Sequence, residues 1–335
     1  MLYRLIRPAL FRQEPEAAHE LALRLALVLG RHRIARDALE TMFRVEDRRL
    51  RQSVFGIEFS NPVGLAAGYD KNAVGLQCWP SLGFGFVEIG SVTARPQGGN
   101  PGPRVFRLPE QRALINRMGF PNDGADRIAG RISCSIPVGI NVGKNRDVEL
   151  KKAAANYAET IRKCRGDFFV LNVSSPNTPG LRKLQDRELL HELLAGVNAD
   201  VPVLLKLAPD LTFSQIDEAL ELAQEHNVAG LVATNTTTEH PVPPEGGLSG
   251  EPLRQRATEC VRHIRRHSKL PVIGVGGIFN AEDAYEKIRA GASLIEVWTG
   301  LVYEGPTLVR DINCGLLRLL ERDGFGSIAE AVGTK

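Results

Sequence analysis

The chain has 335 residues, long enough for two ordinary domains or for one α/β barrel with insertions. Hydrophobic residues make up 43% and charged residues 24%, which provides a large core and excludes a disordered chain. With 42 basic against 39 acidic residues the net charge is only +3, so a strongly basic nucleic-acid binder is excluded and no nucleic-acid partner is expected.

Residues 2–11 begin the chain with a short apolar segment. Pro15 suits the first turn of a helix, and Glu14 and Glu16 complement the positive end of its dipole. Ala18, Leu21, Ala22, Leu25, Val28 and Leu29 recur at helical spacing, with Gly30 as the expected stop. A third helix is expected near 34–43. The first fifty residues hold ten arginines and no lysine. A small helical unit of this kind reads either as a cap packed on the main domain or as a unit lying on a membrane surface, and composition alone favours the cap.

From residue 52 the rhythm changes. Short apolar runs at 63–66, 86–91, 137–142, 168–172, 203–207, 231–234, 272–275 and 294–297 alternate with amphipathic stretches such as 149–164, 186–199, 213–226 and 253–267. Eight strand–helix units predict an α/β fold, a (β/α)8 TIM barrel over residues 52–335 with the small helical unit, residues 1–45, in front of it. A doubly wound sheet is the alternative, but no GxGxxG follows the first strand. The Pro- and Gly-rich stretch 95–103, followed by 105–108 and 113–116, predicts a hairpin inserted after strand two. A long loop, 241–249, follows strand six. Both fall at the C-terminal face, where barrel enzymes build their active sites. Five scattered cysteines with no CxxC spacing exclude a disulfide framework and a cysteine-ligated metal, and point to a reducing compartment. No apolar run reaches the length that spans a bilayer, and Arg4, Arg7 and Arg12 break any signal-peptide pattern.

Polar residues gather where the strands end. Lys71 follows Ala66-Ala67-Gly68-Tyr69-Asp70, Asn141 ends strand three, and Asn172 ends strand four before Ser174, Ser175 and Asn177. Thr234, Asn235 and Thr236 end strand six. This ring of amides and hydroxyls suits a flat ligand with several donors and acceptors. Lys206, inside Val203-Leu204-Leu205-Lys206-Leu207, needs an anion to offset its burial and reads as a charge partner of a ligand or a Schiff-base amine. Gly274-Val275-Gly276-Gly277 and Trp298-Thr299-Gly300 follow strands seven and eight, where backbone N–H groups commonly hold a phosphate. Gly246 to Gly250 adds a third flexible backbone stretch. No histidine falls at a strand end, which leaves hydroxyl or lysine chemistry, with Ser175 held in a proline-stiffened loop.

These motifs, taken in order, resemble those of the dihydroorotate dehydrogenases of the membrane-associated, quinone-dependent class, and the resemblance covers nearly the whole chain. They stand as Ala67-Gly68-Tyr69-Asp70-Lys71, Asn116-Arg117-Met118-Gly119-Phe120, Asn141-Val142-Gly143-Lys144-Asn145, Asn172 through Gly180, Lys206-Leu207-Ala208-Pro209-Asp210, Thr234-Asn235-Thr236, and the two glycine stretches. The resemblance implies FMN as cofactor and oxidation of dihydroorotate to orotate in pyrimidine biosynthesis, with a membrane quinone as final oxidant. It implies that Gly250, Gly277, Trp298 and Thr299 cradle the phosphate and ribityl chain. Ala67, Gly68, Tyr69, Asp70, Lys71, Ser91, Asn141, Asn172, Lys206 and Thr234 would complete the cofactor site. Lys71, Asn116, Arg117, Met118, Gly119, Phe120, Asn172, Asn177, Asn235 and Thr236 would hold the substrate, and Ser175 would act as base through a relay involving Thr178. Serine at this position, where the soluble classes carry cysteine, implies no iron–sulfur partner subunit. It also shifts the reading of residues 1–45 to a quinone-docking unit at the cytoplasmic side of the inner membrane. Trp298 stands where tyrosine is more usual in the family, and Ser91 where threonine is. Two other readings stay open, an aldol-type lyase using Lys206 as Schiff base and a flavin-binding module without turnover.

Overall fold

A computed structural model describes residues 2–335. Three helices come first, α1 (Leu2–Phe11), α2 (Pro15–Arg31) and α3 (Arg33–Phe43), then the short strands β1 (Gln52–Val54) and β2 (Ile57–Phe59). There follow β3 (Val63–Leu65), β4 (Phe86–Val92), β5 (Val105–Leu108), β6 (Ala113–Asn116), α4 (Ala125–Ala129), β7 (Val138–Val142), α5 (Ala153–Lys163) and β8 (Phe168–Asn172). The chain continues through α6 (Arg187–Gly196), β9 (Val203–Leu207), α7 (Phe213–Glu225), β10 (Gly230–Ala233), β11 (Gly247–Gly250) and α8 (Arg254–His267). It ends with β12 (Val272–Val275), α9 (Ala281–Ala290), β13 (Leu294–Val297), α10 (Thr299–Glu304), α11 (Leu308–Asp323) and α12 (Ile328–Ala331).

Strands β3, β4, β7, β8, β9, β10, β12 and β13 close into one parallel barrel in that order, and each of the eight apolar runs read from the sequence is one of them. Closure removes the doubly wound alternative. The inserted hairpin is β5–β6, and the long loop after β10 adds β11 to it as a third antiparallel strand. That third strand was not legible, because Gly247-Leu248-Ser249-Gly250 has no strand-forming composition and is extended only by pairing with β6.

The barrel interior is layered. Phe86, Phe168, Val170, Leu204, Val232, Ile273 and Leu294 fill its lower part with Val54 and Phe59 of the β1–β2 hairpin, which plugs the N-terminal end. Glycines make room for the large rings: a Cβ on Gly64 would lie 2.3 Å from the Phe86 ring, and one on Gly139 2.2 Å from the Phe168 ring. The plugged lower half leaves the opposite end of the barrel as the place for a ligand.

Lys287 on α9 departs from the apolar packing outside the barrel. It is fully buried, and its Nζ donates to Thr258 Oγ1 on α8 at 2.9 Å. Burial pushes its pKa down to about 7 from the ordinary lysine value of 10.5. The unfolded state therefore binds more protons between those two values, so stability rises with pH across that window, and below it the penalty is present in full. Lys287→Met is expected to flatten this slope and to stabilise the fold at neutral pH by on the order of 2 kcal/mol, read as thermal midpoint against pH.

The N-terminal unit is fastened to the barrel at several points. The Glu14 side chain accepts the Ala17 N–H at 2.7 Å and opens α2 as expected. Arg104 of the inserted sheet pairs with Glu16 in a largely buried ion pair. Tyr3 donates its hydroxyl to Val302 O at 2.5 Å, and Arg7 donates to Tyr303 O at 2.9 Å. Gly30 does not stop α2. It is a buried residue of the last turn, where a Cβ would meet Cys78 N at 3.0 Å, so close packing explains the glycine. Ala18, Ala22, Ala26 and Gly30, spaced by four, form the inner face, whereas Leu21, Leu25 and Val28 are 40%, 54% and 52% exposed. Among the described residues no helix is long and apolar enough to cross a membrane.

Candidate active site

Above the apolar layer lies a charged one. Lys206 Nζ is 3.0 Å from Glu88 Oε1 and 3.7 Å from Glu296 Oε2, and the three side chains are 6%, 0% and 0% exposed. Burial opposes the charge on Lys206, but the adjacent Glu88 and Glu296 side chains, Glu88 first, outweigh it and raise its pKa above the ordinary value. An amine held protonated in this way is a charge partner rather than a nucleophile, so the Schiff-base reading loses its reactive group.

An amide network lies on this layer. Asn141 Nδ2 donates to Glu88 Oε1 at 2.5 Å, and the Ser91 hydroxyl donates to Asn141 Oδ1. Asn172 Nδ2 donates to Ser91 Oγ at 2.9 Å and to Asn141 Oδ1 at 3.0 Å. Asn235 Nδ2 donates to Ser174 Oγ at 3.0 Å and to Asn172 Oδ1 at 3.3 Å. From the inserted sheet, Asn116 Oδ1 accepts Asn177 Nδ2 at 2.8 Å, which ties β6 to the loop after β8. Arg182 fixes that loop from outside by donating to Ser174 O, Asp210 Oδ2 and Thr236 O. Within the loop Ser175 is 5% exposed, and its Oγ accepts the Asn177 N–H at 3.3 Å. The Thr178 hydroxyl is buried and has no hydrogen-bond partner among the described residues.

Backbone alone builds the far side. Gly250 has a φ of +103°, and a Cβ there would lie 2.4 Å from Arg112 O and 3.1 Å from the Thr299 methyl. Gly277, with a φ of +70°, has no more room, since its Cβ would sit 2.3 Å from that of Arg254. Three loop segments thus approach one another more closely than side chains permit.

These parts enclose one cavity of ≈570 Å³. Ala67, Gly68, Tyr69, Lys71, Ser91, Asn116, Met118, Gly119, Phe120, Asn172, Ser175, Asn177, Lys206, Thr234, Asn235, Thr236, Gly250, Gly277, Trp298 and Thr299 all line it. Three expected residues do not. Asn141 lies beneath Ser91 and acts on the cavity through it. Asp70 is fully buried and accepts the N–H groups of Val74 and Gly75, each at 2.8 Å, and Trp79 Nε1 at 3.0 Å, so it shapes the loop that carries Lys71. Arg117 turns outward, donating to Pro103 O at 2.9 Å and lying over the Phe106 ring. The side chains of Asp70 and Arg117 are thus engaged away from the cavity they were expected to serve. Lys71 Nζ donates to Gly68 O at 2.6 Å, and burial lowers its pKa to about 8.

Glu296, Arg107 and His19 are among the lining residues that the sequence reading did not place in the site. Glu296 gave no signal beyond an acid on an apolar strand, and Arg107 was one arginine among many. His19, on the inner face of α2, packs edge-on to Tyr69 at 4.8 Å and parallel to Trp298 at 5.8 Å. Burial and the nearby Lys71 charge push its pKa down to about 3, so it is neutral at physiological pH. Its signal was the four-residue spacing of small residues on α2, which marks the inner face. The cavity continues past His19 and Arg107 to Leu21, Leu25 and Met42, which are exposed at the surface.

Fold and site together define a (β/α)8-barrel protein with a lysine-floored, amide-ringed cavity. Comparison with known proteins narrows the class. Residues 49–320 match the family model described as dihydroorotate dehydrogenase, and the chain belongs to that family. It is 50% identical to the dihydroorotate dehydrogenase (quinone) of Natronomonas pharaonis, covering 99% of both chains. It is 49% identical to the protein of the same name from Thermus thermophilus, covering 96% of this chain and 98% of the other. Among solved structures it is similar to the DHODH of Eimeria tenella in complex with ferulenol, with a TM-score of 0.86, 32% identity and 98% coverage of both chains.

Proposed function

We propose that this protein oxidises dihydroorotate to orotate in pyrimidine biosynthesis, with FMN as bound cofactor and a membrane quinone as final oxidant. The observation that carries this reading is Lys206, ion-paired with Glu88 on the floor of a cavity that also holds a cradle only glycine backbone can form. FMN fits the donor set, which offers a cation for the ring system, an amide network for its polar edge, and three close backbone segments at Gly250, Gly277 and Thr299 for its phosphate. When bound, it supplies hydride acceptance from substrate C6 and electron transfer to the quinone. The chain's own residues do the rest.

Asn116, Asn177, Asn235 and Thr236 orient the substrate ring and carboxylate, with Lys71 adding positive charge. Ser175 Oγ takes the C5 proton. The Asn177 N–H at 3.3 Å stabilises the serine oxygen as its own proton leaves, and the Thr178 hydroxyl, three residues along the same loop and without a hydrogen-bond partner among the described residues, would relay that proton on to solvent. Near-complete burial of Ser175 keeps bulk water from competing.

For the N-terminal unit, we read a membrane-docking role. Of the eight large hydrophobic side chains that stand exposed among the described residues, seven (Leu5, Ile6, Leu21, Leu25, Val28, Ile34 and Met42) belong to α1–α3. The cavity opens among them and offers a quinone a path from the apolar surface toward the site.

The first test is the visible spectrum of the purified protein mixed anaerobically with dihydroorotate. A yellow protein that bleaches is the expected result. A yellow protein that does not bleach would discard the substrate, and one colourless even after added FMN would discard the cofactor.

A further inference from the structure

Glu88, Lys206 and Glu296 are the only ionisable side chains on the eight barrel strands, all of which are described. They meet inside the barrel from β4, β9 and β13, above the apolar layer and at the floor of the cavity, which Lys206 and Glu296 line. One cation thus faces two carboxylates in a space almost closed to water. With all three ionised the layer would carry an uncompensated negative charge, which a dry interior does not support.

The hydrogen bonds show where the excess charge is removed. Glu88 Oε1 accepts from Lys206 Nζ at 3.0 Å and from Asn141 Nδ2 at 2.5 Å, the pattern of an ionised carboxylate. Glu88 Oε2 and both Glu296 oxygens are buried without a hydrogen-bond partner among the described residues. A proton on Glu296 would make it a donor to Glu88, the carboxyl group it interacts with, and would give a partner to side-chain oxygens that otherwise lack one. Burial and the adjacent Glu88 raise the Glu296 pKa well above the usual carboxyl range, with Lys206 opposing. Glu88 and Lys206 are the titratable groups that face Glu296.

We propose that Glu296 is held as a neutral carboxylic acid hydrogen-bonded to ionised Glu88, so that the charged layer under the cavity sums to zero. Resting on the FMN reading, this makes Glu296 a positioning residue. A second ionised carboxylate would leave net negative charge beneath a cofactor that gains electrons, whereas a neutral Glu296 lets Lys206 meet that charge against one carboxylate only.

Infrared spectroscopy of the full-length holoenzyme tests the proton directly. The expected result is a protonated-carboxyl stretch that persists from about pH 6 to about pH 9 and is lost in Glu296→Gln. Isotopic labelling of glutamate carboxyl carbons should shift the same band in the unsubstituted protein, which needs no variant to fold. The midpoint potential of bound FMN is expected to be unchanged in Glu296→Gln, because glutamine copies the neutral acid. Absence of the band, or a potential raised in Glu296→Gln as removal of a real negative charge requires, would overturn the proposal. A protein that binds no flavin would overturn the cofactor reading instead, and the infrared band would then decide the acid pair alone.

Discussion

Ser175→Ala is expected to keep the fold and the bound flavin while slowing anaerobic bleaching by dihydroorotate by about 10²–10⁴-fold at neutral pH, the usual contribution of a positioned base. The substitution removes one oxygen from a loop held by other contacts, namely Arg182 to Ser174 O and Asn177 to Asn116. The flavin spectrum should therefore be unaltered before substrate is added. Stopped-flow absorbance measures the reductive step alone, so a slow product release does not mask the effect. Thr178→Val should give a smaller loss in the same step, because water can replace part of a relay more readily than a base. Fast reduction in Ser175→Ala would remove the serine from the chemistry.

The second large effect is expected at the opposite end of the cavity. Leu5, Val28 and Ile34 are 77%, 52% and 86% exposed on the three N-terminal helices, and none of them lines the cavity. Replacing all three by glutamate leaves the core intact but sets three charges against any bilayer, each costing about 1 kcal/mol or more at an anionic or apolar surface. The triple variant should lose most of its binding to lipid vesicles and at least about tenfold of its turnover with a membrane-embedded quinone. Reduction by dihydroorotate should stay at the unsubstituted rate. This is a sharper test than deleting residues 1–45, because deletion would also remove His19 and the Glu16–Arg104 pair and expose Trp79 and Leu82. Unchanged vesicle binding in the triple variant would return the helices to a plain cap.

Most of the barrel was legible because its strands are short apolar runs buried on both sides, whose lengths and order need no knowledge of the neighbours. The polar strand ends were legible for the same reason: an asparagine or lysine that closes such a run has no solvent to point to. Where the reading failed, the deciding contact came from a distant part of the chain. The helical stripe of α2 mixed Ala18 and Ala22 with Leu21, Leu25 and Val28, and only the fold shows that the alanines and Gly30 face the barrel while those three larger side chains stand exposed, since at Gly30 the helix lies too close for a side chain. Asp70 and Arg117 sit in the right motifs, but their side chains are claimed by Trp79 and by the outer hairpin. Gly247–Gly250 is a strand only because β6 lies beside it.

The sequence by itself determined the eight-fold alternation, the position of Lys206 on a buried strand, the serine loop and the glycine turns, because each depends on residue type and local spacing. Tertiary structure alone decided that Glu88 and Glu296 share Lys206, that His19 enters the cavity, and which face of α2 meets solvent. Those outcomes depend on barrel closure, which brings side chains more than a hundred residues apart within hydrogen-bond distance and takes them out of water together.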